Sequence, residues 1–134
     1  MLKTLFLTLE QLLAIHYDQI ERYGGSHGVR DLALLESAIQ RPQGSFMGAD
    51  LYPTVFEKAA ALIHSLLLNH PFLDANKRTA MVSGAGFLYL NGLKLKVEQK
   101  ELVQAALNIE SKKWDLKYIA KWLKEHSLKF SNPS

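Results

Sequence analysis

The run His70-Pro71-Phe72-Leu73-Asp74-Ala75-Asn76-Lys77-Arg78-Thr79 holds a histidine, a carboxylate, an amide and two cations. A histidine near neutral pH can take a proton from an attacking hydroxyl. Asp74 is a hard oxygen ligand of the kind Mg²⁺ takes when it also holds substrate phosphates. Arg78 can fork onto two phosphate oxygens, with Lys77 as a point charge beside it. Ala75 is small enough for the backbone to approach a ligand, and Asn76 can cap a helix or donate to a phosphate oxygen. Taken singly, His70 and Asp74 could as well be helix caps. The ordered set points to phosphoryl-type chemistry, which needs positioning and charge neutralisation above all.

The elements around the run are helical. Thr8 with Gln11 forms a capping box for a helix from Leu9 to about Tyr23, which Gly24-Gly25 ends. Asp31 caps a short helix through Ile39. Pro42 to Pro53 is a loop carrying Phe46, Met47 and Tyr52. Those apolar side chains predict a lid that folds back over the protein; the sharper reading is a flap that pairs with a target peptide as an added strand. Thr54 to Asn69 is apolar nearly all round, as a central buried helix is. Pro71 breaks it, and a second helix runs from Asn76 to Leu90 before Asn91-Gly92. Its interior glycines, Gly84 and Gly86, each cost ~1 kcal/mol relative to alanine, so a neighbouring helix is expected to approach closely. Leu93 to Val97 is a short extended piece, Glu98 to Ile109 and Asp115 to Glu125 are outer helices, and 127–134 is a frayed tail. The expected fold is all-α: one domain over 1–134, with two central buried helices joined by the chemistry-bearing loop.

That loop ends at a helix N-terminus, where free N–H groups and the dipole attract anions. Lys77 and Arg78 fall in the first turn, where the dipole disfavours cations. A bound anion would explain both.

Composition narrows the alternatives. The chain has 134 residues, 48% of them apolar, enough for a core. It has no cysteine, which excludes a disulfide scaffold and a thiolate nucleophile and suits a reducing cytoplasm. No apolar stretch is long enough to span a bilayer. Residues 91–134 carry 9 Lys/Arg against 5 Asp/Glu, read as a solvated basic face rather than a direct nucleic-acid surface. Among the other histidines, His64 reads as a satisfied core residue, and His16, His27 and His126 as surface. Trp114 and Trp122 read as core.

The central run resembles the Fic/Doc (Fido) family. The wider Fic motif is H-P-F-x-D/E-G-N-G-R-x-x-R; His70-Pro71-Phe72, Asp74, Asn76 and Arg78 fit it, while Ala75 and Lys77 replace its two glycines and Met81 its last arginine. Those departures match the death-on-curing (Doc) variant, H-x-F-x-D-A-N-K-R-T-A. Arg22-Tyr23-Gly24-Gly25 with Gly28, Phe87-Leu88 and Asn91-Gly92 resemble the flanks. Leu68 and Val82 stand where Doc proteins are often polar. The resemblance covers about residues 8–125.

The resemblance implies a helical Fido fold and a choice between two reactions. Fic proteins transfer AMP from ATP to a protein hydroxyl. Doc toxins act as protein kinases, the lysine at the Lys77 position turning the nucleotide so that it presents its γ-phosphate. By position, the catalytic pair would be His70, as general base, and Asp74, which would hold Mg²⁺ and help orient the acceptor; Asn76, Lys77 and Arg78 would bind the triphosphate of ATP. The family target is elongation factor Tu, and a small antitoxin holds the toxin inactive. The family's self-inhibitory motif, S/T-x-x-x-E-G/N, does not occur in this chain, so control would come from a separate partner. A non-catalytic basic module is the alternative of another class.

Overall fold

The computed structural model describes residues 3–130. It is a helical bundle of six helices among the described residues: α1 (Leu9–Tyr23), α2 (Leu32–Gln40), α3 (Val55–Asn69), α4 (Asn76–Leu90), α5 (Gln99–Glu110) and α6 (Leu116–Glu125). Two antiparallel ribbons supplement them: β1 (Ser45–Phe46) with β2 (Ala49–Asp50), and β3 (Leu93–Leu95) with β4 (Ser127–Lys129).

Local sequence sets the helix starts. Thr8 and Gln11 at α1, and Thr54 and Glu57 at α3, form reciprocal capping boxes. Asp31 and Asp115 accept from the backbone at α2 and α6. Each such cap is worth ~1 kcal/mol.

α3 lies at the centre, in contact with α2, α4, α5 and α6. Ala59, Ala60, Ala61, Ile63 and Leu67 on it are fully buried. Its run of alanines lets the neighbours come close, and α4 comes closest. A Cβ at Gly84 would collide with the side chain of Ile63. Gly86 differs: its Cβ position would meet only Ile15, at an ordinary 3.9 Å, so the close packing expected for both glycines holds at Gly84 alone.

Two expectations change. Ser127–Lys129 is not a frayed tail but pairs with Leu93–Leu95, where Lys94 faces Leu128 in register; residues 131–134 of that segment lie outside the described residues. The 42–53 loop is not a lid. After a 3-10 turn at 41–43 it forms the β1–β2 ribbon, which leaves Phe46 69% and Met47 89% exposed. Its base is fastened instead. The nearly buried Lys58 ammonium donates to the Asp50 carboxylate at 3.1 Å and to the Tyr52 carbonyl. Arg41 donates to the Tyr52 hydroxyl, His64 Nδ1 and Ser65 Oγ at 2.8–2.9 Å. His64 is therefore half-buried and satisfied, as its place in the sequence suggested. Trp122 is buried, with the partly buried Trp114 ring 5.5 Å away.

Candidate active site

The loop between α3 and α4 is bounded by two non-glycine residues in the left-handed region. His70 has φ 46° and Ala75 has φ 61°. Each costs about 1–2 kcal/mol, and such strain persists only where surrounding structure enforces it. The wider Fic motif places glycine where Ala75 stands, so this chain carries a cost there that glycine would not.

The enforcing contacts come from three sides. Phe72 is buried, which offsets about 1.5–3 kcal/mol; that alone roughly cancels the strain, so hydrogen bonds must supply the margin. Asn76 supplies two of them. Its Oδ1 accepts from Phe72 N–H and its Nδ2 donates to Phe72 O, both at 3.0 Å. From outside, the 24–31 segment is laced onto the loop. Arg30 and Asp31 N–H donate to Pro71 O at 2.7 and 3.1 Å, and Leu73 N–H to Gly28 O at 3.1 Å. The Arg30 guanidinium donates to the carbonyls of His70 and Asn69 at 2.6 and 2.7 Å, capping α3 at the residue that bears the imidazole. From below, His16 stacks on Phe72 at 3.9 Å with 5° between the rings, and its Nε2 lies 3.0 Å from Asp74 O.

His16 is therefore buried, against the surface position expected for it. Burial holds its pKa below the usual 6.5. Leu12, His16 and Ile20 share one buried stripe of α1 at i, i+4, i+8 spacing, a signal that places His16 inward. His27 is exposed and pairs with Glu21 at 2.7 Å. His126 is half-buried and reaches the Trp122 carbonyl at 2.7 Å.

A cavity of about 460 Å³ opens beside the loop. His70, Asp74, Asn76, Lys77 and Arg78 all line it; Met81, Val82, Leu102, Val103 and Ala106 make an apolar wall. The His70 side chain is 52% exposed, within reach of a substrate group. Asp74 Oδ2 accepts from Ser26 N–H at 3.0 Å and Oδ1 from Ala75 N–H at 2.8 Å. The Ser26 bond first, then the Ala75 bond and the Arg78 charge, hold its pKa below the usual carboxylate value, so it is ionised at neutral pH. Each oxygen keeps a lone pair. No group of three metal-type ligands exists among the described residues. The donor set thus fits a cation shared with a ligand's phosphates, not one caged by protein alone.

At the start of α4 no side chain caps the helix, and the N–H groups of Asn76, Lys77 and Arg78 have no partner among the described residues. That is an anion-receiving end. The cations beside it are not unpartnered, however. Lys77 Nζ lies 3.3 Å from Glu110 Oε1, and Glu110 Oε2 lies 3.7 Å from His70 Nε2. Arg78 donates to Gln19 O at 3.1 Å and Gly24 O at 2.9 Å, with the Tyr23 ring beneath it. The end of α1, with its free carbonyls, stabilises Arg78. A bound anion is therefore not required to explain either cation, contrary to the expectation from sequence. Likewise Asn76, expected to bind phosphate, has its amide committed to Phe72. Lys77 and the open N–H groups remain the phosphate-facing set.

Sequence reasoning missed Glu110, Arg30 and Ser26, and read Gly25 as a helix end and family-like flank without its contact to Asp74. Glu110 had one readable signal: an anion on the last residue of a helix, where the dipole disfavours it. The others act through backbone geometry. At Gly25, φ is 120° and a Cβ would stand 2.7 Å from Asp74 Oδ2.

A helical bundle with a histidine-led loop, an open helix N-terminus and a lysine around one cavity is an arrangement suited to receiving an anion. The chain belongs to the Fic/Doc family: the Fic/DOC family model matches residues 6–88. It is 48% identical over 73 residues to Toxin Doc of Mycolicibacterium smegmatis, covering 54% of this chain and 56% of that protein. It is 37% identical over 86 residues to Protein kinase doc of Escherichia phage P1, covering 64% of this chain and 68% of that protein. The chain thus spans little more than half the length of the mycobacterial relative.

Proposed function

We propose that this chain is a Doc-type toxin that transfers the γ-phosphate of ATP to a serine or threonine hydroxyl of a translation protein, elongation factor Tu by family resemblance. Its place of action would be the cytoplasm, and its control a cognate antitoxin. The observation that carries the reading is the convergence of His70, Asp74 and Lys77 on one cavity, beside three N–H groups with no partner among the described residues.

The roles follow from position. The N–H groups of Asn76, Lys77 and Arg78 and the Lys77 ammonium receive phosphate oxygens. Asp74, ionised and fixed by Ser26, would hold Mg²⁺ together with those phosphates; the ion would neutralise charge on the transferred group. The apolar wall of Val82, Leu102 and Val103 would pack against the nucleobase. The target hydroxyl oxygen attacks the γ-phosphorus, its proton passes to His70, the bond to the β–γ bridging oxygen breaks, and ADP leaves. The exposed β1–β2 ribbon, with Phe46 at its edge, supplies a surface for the target's backbone.

ATP labelled at the γ or the α position, incubated with this protein and a bacterial translation extract, tests the reading. Label from the γ position on a protein band is expected. Label from the α position would make the reaction AMP transfer, and no label from either would leave the non-catalytic module.

A further inference from the structure

We infer that Glu110 is a positioning residue of this site, setting both the imidazole of His70 and the ammonium of Lys77. The inference deepens the proposed function and rests on it for the rate measurement below.

Glu110 is the last residue of α5, and its side chain is 19% exposed. Its two oxygens divide their work: Oε1 faces Lys77 Nζ at 3.3 Å, and Oε2 faces His70 Nε2 at 3.7 Å. One carboxylate thus spans the end of α3 and the start of α4, the two ends of the active loop. His70 has no hydrogen-bond partner for its ring among the described residues, although its backbone is tied down by Arg30. Glu110 is the group that can choose the ring's orientation. A carboxylate facing Nε2 favours the tautomer with the proton there and leaves Nδ1 as the free base. The same carboxylate fixes where the Lys77 ammonium enters the cavity.

The placement is costly for stability in isolation. An anion at a helix C-terminus and a cation in a first helical turn are each opposed by the local dipole. Each offsets the other here, so the pair makes sense as a unit: Lys77 lines the cavity and Glu110 holds it from behind. The carboxylate also adds nothing to the core, which is apolar around α5: Ala105, Ala106 and Ile109.

Glu110→Gln keeps the side chain's shape and removes its charge. Its melting temperature should stay close to the wild type, because the dipole penalty removed at the end of α5 is offset by the loss of the half-exposed ion pair with Lys77. Its transfer rate at saturating ATP should fall roughly tenfold to hundredfold, as loss of an orienting partner does, with the ATP KM not raised. Glu110→Asp should recover part of the rate. In nitrogen-15 spectra of the histidine-labelled, ligand-free proteins, the His70 ring should occupy the Nε2–H tautomer in wild type and a mixture in Glu110→Gln. A Glu110→Gln rate equal to or above wild type would overturn the inference, as would identical His70 ring signals in the two proteins. A loss of rate that only tracks a fall in melting temperature would overturn it as well. If the wild type transfers no label, the proposed function fails, while the ring signals still decide the role of Glu110.

Discussion

Two short connectors flank α3, and they are built in opposite ways. The 70–76 loop after it is strained at both ends, buried at Phe72 and tied by hydrogen bonds to the 24–31 segment, to Asn76 and to His16. The β1–β2 ribbon before it is fastened at its base by Lys58 and Arg41 and turns Phe46 and Met47 to solvent. One connector holds small polar groups to fixed positions, as chemistry requires. The other turns apolar side chains to solvent and, in the proposed function, offers its edge to a larger partner.

Substitutions can break that contrast. The largest effect is expected at His70→Ala, which should lower transfer by about 10²–10⁴-fold while leaving the melting temperature nearly unchanged, since the side chain is half exposed; a labelled-ATP assay with a thermal melt reads both. Gly25→Ala comes next. It forces φ 120° on a residue with a Cβ and pushes on Asp74. The rate should fall by up to about 10²-fold, the scale of a misplacement near 1 Å, with loss of stability of about 1–2 kcal/mol measurable by urea titration. Phe46→Ala should act on the other connector alone. Modification of the protein target should drop several-fold, ATP affinity should hold, and stability should stay within about 0.5 kcal/mol; equal loss of target modification and ATP binding would remove the distinction between the two connectors.

The smallest effect concerns pH. Burial holds His16 and His64 below their ordinary value of 6.5. The unfolded chain then binds protons that the folded one refuses. The stability this contributes is complete above about pH 6.5 and is lost as pH falls from there through the lowered folded values. Urea midpoints should decline from pH 7.5 to 5.5, less steeply in His16→Gln than in wild type.

The fold was largely legible because its signals are local. Thr8 with Gln11, Asp31, Thr54 and Asp115 mark helix starts by their own side chains, and Pro71 and Asn91-Gly92 mark ends. The membership of the cavity was legible too, because one contiguous run carries His70 to Arg78. What each residue does there was less so. Asn76 and Arg78 look like phosphate ligands by type, but that one also braces Phe72 and the other caps α1 was not readable. Glu110 reaches the loop across a tertiary contact that no local pattern encodes. The ribbon was misread as a lid because apolar residues in a loop suggest burial, whereas here they are exposed.

The central claim is that the start of α4 receives the phosphates of a nucleotide. Backbone amide spectra of the nitrogen-15 protein during titration with Mg²⁺ and ATP test it most directly. The largest saturable shifts are expected at Asn76, Lys77 and Arg78, weakened in Lys77→Ala. Saturating nucleotide that leaves those three amides unmoved would contradict the account.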